Sequence, residues 1–94
     1  MDGRKLVAWN LRSKRVLRGL SQEKLAVDAG VDRTYVSRLE RGVENPTVGV
    51  LDRLANALSV HISELFVKPP TGATAPKPLP GGRRTKKSTR RPAS

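Results

Sequence analysis

Gly19, Gly30, Gly42 and the Glu44-Asn45-Pro46 loop cut the chain between Arg4 and Val67 into five short stretches of helical character. That punctuation predicts an all-α domain of five packed helices. No glycine or proline interrupts Arg4 to Arg18, where Val7, Leu11 and Arg15 recur at i+4, and Gly19 ends the first helix. Ser21 is an N-cap for the second: Gln22 and Glu23 fill its first turn, and Leu25, Ala26 and Ala29 face inward. Lys24 at the third position makes this less than a full capping box. Gly30 suits a left-handed exit, and Asp32 is the expected cap of a third helix from Arg33 to about Arg41. Val36 and Leu39 form its inner face, which leaves Arg33, Thr34, Ser37, Arg38 and Arg41 outward. Thr47 caps a fourth helix with Leu51, Leu54, Ala55 and Leu58 on one stripe; Gly49 in its first turn costs at most about 1 kcal/mol. The segment Ser59 to Val67 offers Val60, Ile62, Leu65 and Phe66 for packing, and Pro69 and Pro70 forbid its continuation.

Charge then separates the chain into two parts. Residues 1–67 hold 11 basic and 8 acidic side chains, a net of +3, whereas 68–94 hold 8 basic and none acidic. Six of the seven prolines also fall after Val67, so residues 1–67 are expected to form the folded domain and 68–94 a disordered basic tail. The overall +11 points to a polyanionic partner such as nucleic acid, with an acidic substrate or a lipid surface as alternatives. Within the tail, GGRRTKKSTRRP reads equally as a salt-sensitive tether to phosphates and as a solubilising extension.

The same inventory excludes several function classes. There is no cysteine, so neither a disulfide scaffold nor a thiolate metal site is available. His61 is the only histidine and is expected at the exposed start of the fifth helix; no metal, cofactor or small-molecule effector is implied. No glycine-rich phosphate loop, nucleophile elbow or paired acid/base set is visible, so no enzyme activity is expected. The N-terminal run lacks a signal-peptide pattern and no stretch approaches about 20 apolar residues, which predicts a cytoplasmic protein with no membrane partner. Trp9 and Phe66 are expected to cover the core rather than stack on bases.

Two short helices, a tight turn containing glycine, and a second helix with an exposed hydrogen-bonding and cationic face form the pattern of a helix-turn-helix. Such a helix fits the major groove of duplex DNA, where arginine can bond guanine O6 and N7 together. Arg33 and Arg38 are the candidate guanine readers, with Thr34 and Ser37 able to bond a base. Each bidentate pair discriminates by roughly 1–3 kcal/mol.

The stretch LSQEKLAVDAGVDRTYVSRLERGVENPTVGVLDRLANALSV, Leu20 to Val60, resembles the lambda-repressor/Cro-like helix-turn-helix family, also called the xenobiotic-response-element family. The resemblance extends from about Leu6 to Phe66. DRTYVSRLERG is especially similar to regulators of restriction-modification genes, and KRVLRGLSQ to phage repressors. It implies a compact lambda-repressor-like domain in which Gln22 contacts a phosphate and braces Arg33, while Arg33 and Thr34 read bases. Ser37 and Arg38 lie one turn further along, Tyr35 either meets a phosphate or packs on the second helix, and Arg41 and Asn45 contact phosphates. It also implies a partly buried ion pair between Arg15 and Glu40. Arg12, Lys14 and Arg18 of helix one either flank the DNA backbone or form a solvated face. The family binds as a symmetric dimer, so two half-sites about 34–36 Å apart are expected. Helix five, through Val60, Ile62, Leu65 and Phe66, is the expected homodimer interface. The function so read is sequence-specific repression at an inverted-repeat operator. The rivals are an antitoxin-like protein-interaction module and a tail-driven RNA-binding or chromosome-coating protein.

Overall fold

In the computed structural model, which describes residues 2–69, four α-helices and a short 3-10 helix surround one core: α1 (Gly3–Leu17), α2 (Gln22–Ala29), α3 (Arg33–Glu40), α4 (Val48–Ala57) and the terminal 3-10 helix Ile62–Phe66. Apart from residues 68 and 69, the expected basic tail lies outside the described residues.

Local chemistry sets most helix starts. The Asp2 carboxylate accepts from the Lys5 N–H at 2.9 Å, Ser21 Oγ from Lys24 N–H at 3.0 Å, and Thr47 Oγ1 from Val50 N–H at 3.1 Å. The bond from Lys5 is the main reason the Asp2 carboxyl is held below its ordinary range. Asp32 departs from expectation. It occupies the N-cap position with extended backbone, yet its exposed carboxylate makes no capping bond, so α3 begins on backbone geometry alone.

Helix ends follow one device. The chain leaves α1, α2 and α3 through left-handed glycines, and leaves α4 the same way through Ser59 at φ 58°. In each case the next amide reaches back to close the last turn, as in Val43 N–H to Arg38 C=O at 3.2 Å and Val60 N–H to Ala55 C=O at 3.0 Å. A left-handed L-residue costs about 1–2 kcal/mol, against a loss of about 0.5–1 kcal/mol from the greater chain entropy of glycine. Ser59→Gly is therefore expected to stabilise the domain by about 0.5–1 kcal/mol, read as a rise in Tm of roughly 2–8 °C. A fall in Tm would show that the Ser59 side chain makes a compensating contribution.

The core gathers Val7 and Leu11 of α1, Leu25, Ala26 and Ala29 of α2, Val36 and Leu39 of α3, Leu51, Leu54 and Ala55 of α4, then Leu58 and Leu65. These are the positions that helical periodicity marks as inward. The terminal element differs from a full fifth helix. Ser59 and Val60 are consumed in ending α4, and His61 then caps the turn, its Nδ1 accepting from Ser63 N–H at 3.1 Å. Only five residues remain before the extended Val67, a length that suits a 3-10 helix. Asn10, buried in α1, fastens this element: its Nδ2 lies 3.0 Å from Leu6 O, 3.2 Å from Leu65 O and 2.8 Å from Val67 O. Trp9 is half-buried, but Phe66 is 47% exposed and so does not cover the core as expected; it lines a shallow pocket with Val7, Pro46 and Leu51.

Candidate nucleic-acid interface

The placement of α3 is decided by a buried polar centre. Glu40, in its last turn, has a side chain with no exposure and accepts two hydrogen bonds from Arg15 of α1: Nε to Oε2 at 2.6 Å and Nη2 to Oε1 at 2.9 Å. The remaining Arg15 nitrogen, Nη1, donates to the Leu20 carbonyl at 2.8 Å, in the turn before α2. Gln22 Nε2 at the start of α2 donates to Glu40 Oε1 at 3.1 Å, and Arg12 Nε lies 3.7 Å from the same oxygen. One carboxylate thus joins α1, α2 and α3. A charge-assisted, bidentate pair of this kind sets orientation as well as distance.

Gln22, expected from the resemblance to meet a phosphate and brace Arg33, has an intramolecular partner here. Its amide nitrogen is engaged by Glu40, and no hydrogen bond joins it to Arg33. The buried Glu40 carboxylate takes the amide N–H of Gln22, and the Gln22 carbonyl oxygen is the atom that could accept from a guanidinium, which has donors only.

Of the candidate contact residues of α3 and its exit, Arg33, Thr34, Arg38 and Arg41 are exposed, Ser37 is half-buried, and Asn45 is exposed in the following loop. Tyr35 is half-buried, its ring packed against the core. Burial first, and then the negative charge of Glu44, hold the Tyr35 hydroxyl above its ordinary range. Glu44 enters the sequence-based reading only as a loop residue, yet it accepts a hydrogen bond from Arg38 Nε. It could not be read from periodicity because the left-handed turn at Gly42 brings it beside Arg38.

Elsewhere on α1, Lys14 pairs with Glu64 at 3.2 Å, which ties α1 to the terminal 3-10 helix, and Arg18 is exposed. The expected dimer face changes in composition. Leu65 is fully buried and is part of the core, because it is the side chain that anchors the 3-10 helix; Val60 and Ile62 are half-buried against the same core. The apolar surface left exposed there belongs to Phe66 and Val67, each 47% exposed. Among the described residues no helix is long and apolar enough to cross a membrane.

A short helix, a glycine turn and a second helix whose outer face is cationic, all locked to a buried hub, define a helix-turn-helix DNA-binding domain. Residues 11–65 match the family described as Helix-turn-helix, HTH_3; the chain belongs to it and is a DNA-binding transcriptional regulator. It is 43% identical over 68 residues to the Neisseria hypothetical transcription factor of Neisseria meningitidis serogroup B, covering 72% of this chain and 64% of that protein. The crystal structure of that factor superposes with a TM-score of 0.70 over 74% of this chain and 79% of that one. The chain is 46% identical over 74 residues to the uncharacterised HTH-type regulator y4dJ of Sinorhizobium fredii, covering 79% of this chain and 94% of that protein. The controller protein C.Esp1396I, solved as a tetramer on its natural 35-base-pair operator, has a TM-score of 0.65 and 30% identity, with 70% and 87% of the two chains covered. These relatives are a transcription factor, a transcriptional regulator and a controller protein.

Proposed function

We propose that the protein is a cytoplasmic repressor that binds an inverted-repeat operator as a homodimer, with α3 in the major groove of each half-site. The observation that carries this reading is the row of exposed Arg33, Thr34 and Arg38 with half-buried Ser37, on a helix held to α1 and α2 through Glu40. A short helix spans only a few base pairs, so two copies are required for useful specificity. Phe66 and Val67 offer the exposed apolar surface for that pairing. The operator-bound controller protein supports the DNA-bound assembly by similarity. Repression needs only that bound protein obstruct polymerase. The DNA-binding unit is assigned to residues 1–67, and 68–94 to a basic extension.

Selection from random duplex DNA is expected to recover an inverted repeat with half-sites about 34–36 Å apart. On that operator, Arg33→Ala should lower affinity by about 5–150-fold and flatten preference at one base pair per half-site. Arg41→Ala and Asn45→Ala should weaken all duplexes alike, and Arg41→Ala should reduce the salt slope by about 0.9 per protomer. A uniform loss from Arg33→Ala across operator variants would show that α3 does not read bases through that residue.

A further inference from the structure

The recognition face carries one feature that simple phosphate attraction does not require, which is a carboxylate among arginines. Arg33, Arg38 and Arg41 present three cations, and Glu44 is brought beside Arg38 by a specific piece of backbone. Gly42 turns left-handed at φ 75°, Gly42 N–H bonds Leu39 C=O at 3.0 Å, and Val43 N–H bonds Arg38 C=O at 3.2 Å. The chain is thereby folded back on the last turn of α3, so the residue after Val43 stands beside Arg38. Glu44 is half-buried, and its carboxylate is paired with the Arg38 guanidinium.

We propose that Glu44 is a positioning residue for base reading: its carboxylate holds Arg38 Nε and leaves the Nη1 and Nη2 edge of the guanidinium as the donor pair presented to guanine. This rests on the assignment of the outer face of α3 to the major groove. An unrestrained arginine has several rotamers and settles readily on a phosphate, which carries no sequence information. With Nε occupied, the guanidinium plane is restricted, and of the four remaining N–H donors one on Nη1 and one on Nη2 match the O6 and N7 acceptors of guanine. The same carboxylate repels phosphates, so it weakens generic attraction while it sharpens base contact. Glu44 therefore acts on specificity in the direction opposite to its effect on sequence-independent binding.

The test uses the full chain and three duplexes: the selected operator, the operator changed at the base pair whose preference Arg38→Ala abolishes, and an unrelated sequence. Glu44→Ala is expected to reduce discrimination between the first two by about 3–10-fold and to tighten binding to the third by about 2–5-fold, with Tm unchanged within a few degrees. Glu44→Gln keeps an acceptor without the charge, so it should retain most of the discrimination and share the gain on the unrelated duplex. In an Arg38→Ala background, Glu44→Ala should change discrimination no further. If Glu44→Ala shifts all three affinities equally, Glu44 is only a surface charge and the proposal fails while base reading by α3 stands. If Arg38→Ala leaves every preference intact although Arg33→Ala does not, Arg38 itself is not a reader and the proposal fails for that reason. If neither arginine affects preference, the reading of α3 fails with it.

Discussion

Glu40→Ala is expected to destabilise the domain by about 3–5 kcal/mol, the loss found when one partner of a buried ion pair is removed and the other charge stays. The variant would strand the Arg15 guanidinium, whose side chain is 3% exposed, with only the Leu20 carbonyl to bond. It would also remove the acceptor of Gln22 and the counter-charge of Arg12, whose Nε is buried with no hydrogen-bond partner. With about 4–8 °C of Tm per kcal/mol in a domain of this size, melting should fall by at least about 12 °C. Replacing both partners by apolar residues of similar volume, Arg15→Met with Glu40→Leu, should cost less than either single alanine substitution, because the fully buried charge is removed with its partner and only the partly exposed Arg12 loses its counter-charge. Equilibrium denaturation of the two singles and the double measures this directly. A cost below about 1 kcal/mol for Glu40→Ala would mean that water reaches the pair and that α3 is held by apolar packing alone. DNA binding by Glu40→Ala should decline through loss of folded protein, so at temperatures where the variant is folded its base preference should persist.

What could be read in the sequence, and what could not, divides by the range of the interaction involved. The helix exits at Gly19, Gly30 and Gly42 and the caps at Ser21 and Thr47 are local events, governed by a few consecutive residues, and periodicity alone marks the core positions from Val7 to Leu58. Ser59 as a left-handed exit was not legible, since serine gives no such signal, and the fifth helix was drawn too long as a result. The interactions that orient the recognition helix are non-local. Arg15 and Glu40 are 25 residues apart, and their pairing was available only through resemblance. Gln22 to Glu40 spans 18 residues, a partner that no local pattern marks. Arg38 to Glu44 spans only six, but it depends on a turn whose fold-back carries no mark in the side chains themselves. Leu65 and Phe66 show the same limit: two adjacent apolar residues were assigned together to an interface, whereas the 3-10 geometry buries the first completely and exposes the second.

Asn10→Ala is expected to cost about 2–4 kcal/mol, a large effect for an asparagine that sequence alone would place on any polar helix face. Its amide nitrogen serves the Leu65 and Val67 carbonyls, 55 and 57 residues away, together with Leu6 one turn earlier in α1. Truncation would leave the Leu65 carbonyl buried without its donor, and each such group costs about 1–3 kcal/mol. Asn10→Leu should be no better, because it refills the volume without restoring a donor; this contrast separates hydrogen bonding from packing. Since α1 holds the terminal 3-10 helix through this side chain, the Lys14 to Glu64 pair and Leu65, the variant should open that element first, seen as lost amide protection at Leu65 and Val67 while α2 and α3 stay protected. Phe66 and Val67 ride on the same element. Self-association should therefore weaken, in sedimentation measurements, under conditions where the helix-turn-helix remains folded. A variant that lost stability evenly across all helices and kept its association constant would place the dimer contact somewhere other than this C-terminal turn.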